Sequence, residues 1–121
     1  MIPPIFQLAF ASAEVKAAFG SNPLRVYPFG SAPQGVAKPY AVWRLYAGSP
    51  ENYLGNLPDM DRYVLQVDVY DSTPPAVIAA ARKLRDALEP HAHILAYRAG
   101  DTDPETGDAR YSFDIEFFTS R

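Results

Sequence analysis

The 121-residue sequence predicts an α+β fold, a mostly antiparallel sheet with two helices packed on one face. Three observations support this prediction. Two segments have apolar residues at helical spacing, several others alternate apolar and polar residues, and turns rich in Pro and Gly separate them. The length is typical of a single domain, so we expect one domain over residues 1–121.

The first predicted element is a helix over about residues 4–18. Pro3 and Pro4 suit its first turn, and Gly20 ends the pattern. The stripe recurs every three or four positions and consists of Ile5, Leu8, Ser12 and Val15. Phe6 and Phe10 lie off this stripe. The helix is therefore expected to bury a second face, which a partner subunit could cover.

Three strands are predicted next. Residues 25–29 form a short strand, which Pro28 restricts to an edge of the sheet, and residues 39–47 form a longer one. Residues 61–71 alternate most clearly, because four apolar side chains at every second position share one face: Tyr63, Leu65, Val67 and Val69.

A second helix and a hairpin complete the predicted order. Ser72 or Thr73 caps the helix, Pro74 is its first residue and Pro90 ends it. Its apolar stripe consists of Val77, Ala81, Leu84 and Leu88. The hairpin pairs residues 93–99 with residues 110–119, and its core face consists of Tyr111, Phe113, Ile115 and Phe117. The order is helix, three strands, helix, two strands.

Composition excludes several classes of function. The chain has no Cys, which excludes thiol catalysis and Cys-based zinc sites and fits a reducing cytoplasm. A net charge of −3 argues against nucleic-acid binding through contacts to the phosphates. No apolar run approaches the ~20 residues that span a bilayer, so neither a membrane anchor nor an export signal is expected.

Strand alternation predicts a polar, net acidic sheet face opposite the helices, formed by Arg44, Gln66, Asp68, Asp114 and Glu116. Its carboxylates could meet across neighbouring strands, as acid–base hydrolysis requires. We favour a solvated or partner-facing surface with Arg44 as the counter-charge, because alternation alone produces such rows.

Three further patterns in the sequence resemble binding sites, two for metal ions and one for nucleic-acid bases. His91 and His93 have a spacing that can hold a metal, but the chain has no third His. The acidic turn at residues 101–108 begins like a calcium loop, yet Thr106 stands where Gly is needed and Ser112 where the closing Glu belongs. Seven aromatic residues could stack bases, although an acidic face favours core and interface roles for them: Tyr40, Trp43, Tyr46, Tyr63, Tyr70, Tyr97 and Tyr111. We therefore expect no catalytic residue, metal or cofactor, and predict that the protein is not an enzyme.

A long loop between Gly48 and Asp61 is the candidate contact surface. It contains apolar residues that a monomer's own core explains poorly, and such loops are uncommon unless they serve a function. Together with two aromatic residues of the first helix, they form the predicted oligomer or partner interface: Phe6, Phe10, Tyr53, Leu54, Leu57 and Met60.

Six segments together give the chain a family resemblance: the Met-Ile-Pro-Pro opening and residues 23–30, 39–43, 50–53, 66–70 and 85–89. The sequence resembles the tail-completion proteins of long-tailed bacteriophages and prophages, the tail-to-head joining or tail-terminator family. The resemblance implies a structural virion protein at the head–tail interface, assembled in the bacterial host cytoplasm.

The same resemblance implies a hexameric ring that caps the tail tube and docks it to the head-connector or stopper protein. DNA then passes through the lumen without specific binding. Two alternatives remain. A small dimeric α+β enzyme predicts a pocket that gathers the histidines with acidic groups, and a nucleic-acid-binding module predicts salt-dependent binding.

Overall fold

The protein forms one five-stranded sheet with its helices on one side. The computed structural model describes residues 2–52, 55 and 57–121. The elements are α1 (Ile5–Phe10), α2 (Ala13–Phe19), β1 (Val26–Pro28), β2 (Tyr40–Pro50), β3 (Met60–Asp71), α3 (Pro74–Leu88), a 3₁₀ turn (Glu89–His91), β4 (His93–Thr102) and β5 (Ala109–Ser120). The strand order is β1-β2-β3-β5-β4, with β1 parallel to β2 and the other neighbours antiparallel. The predicted α+β fold is confirmed.

The core lies between α3 and the two central strands. The predicted inward residues of β3 and the predicted stripe of α3 are all buried, and so are Phe113, Ile115 and Phe117 of β5. Tyr111 is only partly buried and packs at the margin of the same cluster. This burial follows directly from the periods of two and 3.6 residues in the sequence.

The predicted single N-terminal helix is instead two short helices, α1 and α2. The first ends at Phe10 with Ala11 as its C-cap, and Ser12 adopts an extended conformation in which its Oγ accepts the backbone N–H of Val15 at 3.2 Å. Ser12 is therefore the N-cap of α2 and not a member of an apolar stripe. The break lets Ile5 and Ala9 of one helix and Val15 of the other enter the same core.

The second strand and the loop after it also differ from prediction. β2 continues through Gly48 to Pro50, so these residues pair with β3 and the connection shortens to residues 51–59. Gly48 leaves room for the ring of Tyr63, because a Cβ would lie 3.2 Å from that ring, closer than an ordinary van der Waals contact. The ring of Tyr63 can therefore pack closely against its register partner Gly48 on β2.

The last three elements follow the prediction closely. Thr73 caps α3 by accepting the backbone N–H of Ala76 at 3.3 Å, and Pro74 is the first helical residue. Pro90 lies in the 3₁₀ turn that follows the helix. β4 and β5 form the predicted hairpin with a shorter turn, residues 103–108. Among the described residues, no helix combines the length and apolar character needed to cross a bilayer.

Candidate interaction surfaces

The sheet face that the helices leave uncovered carries the five polar residues that strand alternation assigned to it. Arg44, Gln66 and Asp114 are register partners in one row across β2, β3 and β5. Asp68 lies two positions along β3 and Glu116 two positions along β5, on the same face. The structure therefore brings all five onto one surface, which we call the helix-free face.

Asp68 is the centre of a hydrogen-bond network on this face. Its Oδ1 accepts from Ser112 Oγ at 2.5 Å and from Gln66 Nε2 at 2.9 Å. Gln66 Oε1 accepts in turn from the Tyr46 hydroxyl at 2.7 Å. Ser112 is buried, so the carboxylate satisfies a donor that water cannot easily reach.

Ion pairs between neighbouring strands complete the network. They join Arg62 Nε to Glu116 Oε2 (2.5 Å), Arg98 Nη2 to Asp114 Oδ2 (2.8 Å) and Arg110 Nη2 to Asp101 Oδ2 (2.6 Å). With Arg44 and Asp68, the described side chains that β2 to β5 place on this face include four arginines and four carboxylates. The expectation of a net acidic face is therefore wrong, since its charges balance.

One carboxylate of these ion pairs and a tyrosine pair have displaced pKa values. The hydrogen bonds from Arg110 lower the pKa of the Asp101 carboxyl below its usual range. Tyr40 and Tyr70 stack with ring centroids 4.9 Å apart, and burial raises the pKa of both phenols. The face is thus arranged to keep Asp101 charged and the stacked tyrosines neutral.

The three candidate acid–base carboxylates each accept hydrogen bonds within the sheet. Asp68 accepts from Ser112 and Gln66, Asp114 from Arg98, and Glu116 from Arg62. Bonds of this kind hold side chains in place across strands. The arrangement is that of a structural network, in which the carboxylates link neighbouring strands of the sheet.

The two histidines lie at the end of the sheet and belong to different elements. His91 is in the 3₁₀ turn, whereas His93 begins β4, with its Nδ1 3.9 Å from Glu116 Oε1 and its ring edge-on to Phe118. Within the described ranges, no three His, Cys, Asp or Glu side chains are grouped so that they could hold a metal ion.

The acidic turn between β4 and β5 uses its carboxylates for internal contacts. Asp103 Oδ1 accepts the backbone N–H of Glu105 at 2.9 Å, and the buried Asp108 pairs with Lys38 Nζ at 2.5 Å. Asp101 is bound to Arg110. These contacts tie the turn to β5 and to the segment before β2, so the acidic residues do not converge as calcium ligands do.

The aromatic residues divide between the two faces of the sheet. The register places Tyr40 and Tyr70 on the helix-free face, and the hydrogen bond to Gln66 places Tyr46 there as well. The other four lie on the helix side: Trp43, Tyr63, Tyr97 and Tyr111. Tyr63 is buried in the core. A base-stacking platform needs its aromatic residues on one open face together with cations for the phosphates, which differs from this distribution.

The two off-stripe phenylalanines of α1 form an exposed aromatic patch. Phe6 and Phe10 are 46% and 42% exposed, and their rings stack with centroids 6.0 Å apart. Lys16 Nζ lies 4.9 Å from the centroid of the Phe10 ring. The patch is thus preformed on one helix face, which is how an interface anchor is built.

The remaining predicted interface residues lie elsewhere. Leu57 is 85% exposed in the loop, whereas Met60 begins β3 opposite Ser120 and is only partly exposed. The register places Met60 on the helix-free face, so it does not share a surface with the α1 patch. Tyr53 and Leu54 lie outside the described residues.

The sheet also has open edges that sequence reasoning missed. β1 covers only the start of β2, and β4 is the last strand on the other side. Exposed apolar residues lie on both edge strands: Leu45 and Tyr46 on β2, Leu95 and Tyr97 on β4. Their apolar character is visible in the sequence, but the edge position depends on the strand order, which no local pattern encodes.

Comparisons with known proteins agree with this architecture. A family model described as "Tail completion protein gp17" matches residues 3–120. A search of curated proteins finds no match to the sequence.

Among solved structures, the chain is similar to one from the "Virion of native gene transfer agent (GTA) particle". The TM-score is 0.65 at 15% identity, and the alignment covers 97% of this chain and 92% of the other. At that identity the similarity shows a shared fold.

Proposed function

Because the chain belongs to the tail completion protein gp17 family, and is thus a phage tail structural protein, we propose that it forms a ring that ends the tail tube. The ring is hexameric and provides the surface that docks the tail to the head-connector or stopper protein. Its subunits assemble in the bacterial host cytoplasm and remain in the virion at the head–tail interface.

The observation that supports assembly most directly is the aromatic patch on α1. Two adjacent, stacked phenylalanines that each remain more than 40% exposed leave apolar surface for a partner to cover. Aromatic residues are the usual anchors of such contacts, because they bury a large area with few rotatable bonds. The exposed Leu57 is a second candidate contact, on the loop between β2 and β3.

The balanced charge of the helix-free face supports passage of DNA without specific binding. A surface that holds DNA presents unpaired cations to several phosphates at once. Here Arg62, Arg98 and Arg110 are each paired with a carboxylate, and Arg44 lies over the ring of Phe29. The net charge of −3 for the whole chain further disfavours binding to DNA phosphates.

Mass in solution tests the ring. Light scattering after size exclusion, over a concentration series and with or without purified tail-tube protein, is expected to give a closed oligomer. Phe6→Asp and Leu57→Asp are each expected to disperse it, because a charge would be buried at the contact. Gln7→Asp is the matched control, since Gln7 is an exposed neighbour on the same helix.

Three outcomes contradict parts of this proposal. A wild-type protein that stays monomeric in both conditions contradicts the ring. A stable dimer contradicts the terminator role and favours the dimeric alternative. Dispersal by Gln7→Asp to the same extent as by Phe6→Asp contradicts a specific role for the aromatic patch.

A further inference from the structure

The outer edge of β2 is open over most of its length. β1 pairs with β2 only through Ala41, Val42 and Trp43. From Arg44 to Pro50 the strand pairs with β3 on its inner side, and no strand among the described residues lies on its outer side. Backbone groups on such an edge are available to another strand.

The outer edge of β4 is open in the same way. The strand order ends at β4, whose described pairing is with β5 alone, from His93 to Thr102. The sheet therefore has one open edge of seven residues on β2 and one of ten residues on β4. The lengths are sufficient for a strand pair of ordinary size.

The charged side chains of the two edges are engaged within the chain, and neither edge carries a lysine. Proteins usually protect an edge with Lys or other charged side chains. The three lysines of the sequence lie outside both strands. The charged residues on these strands are engaged within the chain: Arg44 lies over Phe29, and Arg98 and Asp101 each pair with a residue of β5.

Both edges instead carry exposed apolar side chains. Leu45 and Tyr46 on β2, and Leu95 and Tyr97 on β4, are between 42% and 55% exposed. Leu45 is the register partner of the buried Leu65, so it lies on the helix side of the sheet. Tyr97 lies on that same side, because its partner is the buried Phe113.

The directions of the two strands make the edges complementary. Three successive antiparallel pairings, β2 with β3, β3 with β5 and β5 with β4, leave β2 and β4 running in opposite directions. When two copies lie side by side in the same orientation, β2 of one meets β4 of the next as an antiparallel pair. Leu45 and Tyr97 then lie on the same side of the joined sheet.

We propose that the open edge of β2, from Arg44 to Pro50, pairs with the outer edge of β4 in a second copy of the chain. The contact joins two different surfaces, so each copy keeps one free edge for the next, and the series forms a closed ring when the rotation between copies closes. Both strands contain register shifts, and such bulges bend a sheet, as a ring of subunits requires. This inference rests on the ring of the proposed function and identifies its subunit contact.

Cysteine cross-linking tests the pairing, because the chain has no Cys of its own. Ala47→Cys and Ala96→Cys are combined in one chain. Their register partners, Val64 and Asp114, place both on the helix-free face. A short bismaleimide is used as the cross-linker, since it tolerates a shift of one or two residues in the intermolecular register. The expected result is a ladder of covalent multimers that ends at the copy number of the ring.

Single variants and a matched double variant control for other contacts. Ala47→Cys with Ala17→Cys keeps the β2 site but moves the second thiol to an exposed position on α2, and it is expected to give no ladder. Dimers from Ala47→Cys alone would show β2 pairing with β2. Dimers from Ala96→Cys alone would show β4 pairing with β4. Either result overturns the proposed pairing.

Failure of the pairing and failure of the ring are distinguished by measuring mass on the same samples, alone and with tail-tube protein. A closed oligomer by light scattering without a covalent ladder overturns the edge pairing and leaves the ring standing. No assembly in either condition overturns both. A ladder from the β2–β4 double variant that is absent from the α2 control supports both.

Discussion

Replacing Asp68 by alanine is expected to destabilise the fold, because this carboxylate holds the helix-free face together. The change removes the acceptor of Ser112 Oγ and of Gln66 Nε2. Ser112 is buried, so its unpaired hydroxyl costs about 1–2 kcal/mol, and the partly exposed Gln66 adds about 0.5–1 kcal/mol because water can replace that bond. The expected loss is about 1.5–3 kcal/mol in the free energy of unfolding, or roughly 5–15 °C in Tm for a domain of this length.

Urea unfolding of Asp68→Ala, followed by circular dichroism, measures this loss. The protein concentration is chosen so that wild type and variant have the same oligomeric state, since assembly itself raises apparent stability. Glu105→Ala is the control, because Glu105 is an exposed acidic residue of the β4–β5 turn. It is expected to lie within about 0.5 kcal/mol of wild type.

A double-mutant cycle with Ser112→Ala isolates the contact. The double variant is expected to lose about 1 kcal/mol less than the sum of the two single variants, because both partners of the bond are then absent. An Asp68→Ala variant as stable as the control, or strictly additive losses, would refute a structural network. Increased stability would favour a functional carboxylate, since functional groups are commonly held at a cost to stability.

Three further predictions concern the hairpin, the cap and the core. Acidification is expected to weaken the β4–β5 hairpin, because the pKa of Asp101 is lower in the folded state than in the unfolded state. The ionised carboxylate stabilises the folded protein above the unfolded pKa of ~3.9. This stabilisation is lost as the pH falls through the folded pKa. A carboxyl titration by NMR measures the folded pKa of Asp101. Arg110→Gln should raise this pKa towards ~3.9, and a wild-type pKa of ~3.9 would contradict the ion pair. Thr73→Ala removes the acceptor for the Ala76 N–H and is expected to lower the stability measured by thermal unfolding by about 1 kcal/mol. Thr73→Ser keeps the hydroxyl and should cost little. Equal losses in the two variants would show that the hydroxyl does not cap α3. Leu84 lies in the buried stripe of α3, and Leu84→Ala is expected to cost about 2–5 kcal/mol in the free energy of unfolding by urea. Leu84→Met, which nearly keeps the volume, should cost less than about 1.5 kcal/mol. Similar losses in both variants would show that stability does not depend on the side-chain volume at this position.

The elements that the sequence predicted best are those with local signals. Thr73 followed by Pro74 defines the start of α3, and the buried positions of α3 and β3 follow from helical and strand periods. The polar row that contains Gln66 and Asp68 follows from the same alternation in β3. These features could be predicted because each depends on residues a few positions apart.

Features that depend on context were missed. Ser12 has the spacing of a helical stripe and the chemistry of an N-cap, and only the packing of α1 and α2 into one core decides between them. Gly48 and Pro50 are turn formers, yet pairing with β3 keeps them in β2. Arg62 could have been assigned to the helix-free face by alternation, whereas register shifts in β4 hide the position of Arg98.

The distribution of unsatisfied surface favours assembly through the edges of the sheet. One face is covered by the helices, and the other neutralises its own charges, so neither face calls for a large partner of its own. The edges differ, because their backbone groups are unpaired on one side and their apolar residues remain exposed. Contacts through edges join sheets side by side, and in the proposed ring the exposed aromatic patch at Phe6 and Phe10 adds a second contact on the helix layer. Edge pairing and the aromatic patch then stabilise the same assembly, so Phe6→Asp should weaken the ring, while the cross-link between Ala47→Cys and Ala96→Cys reports the edge pairing by itself.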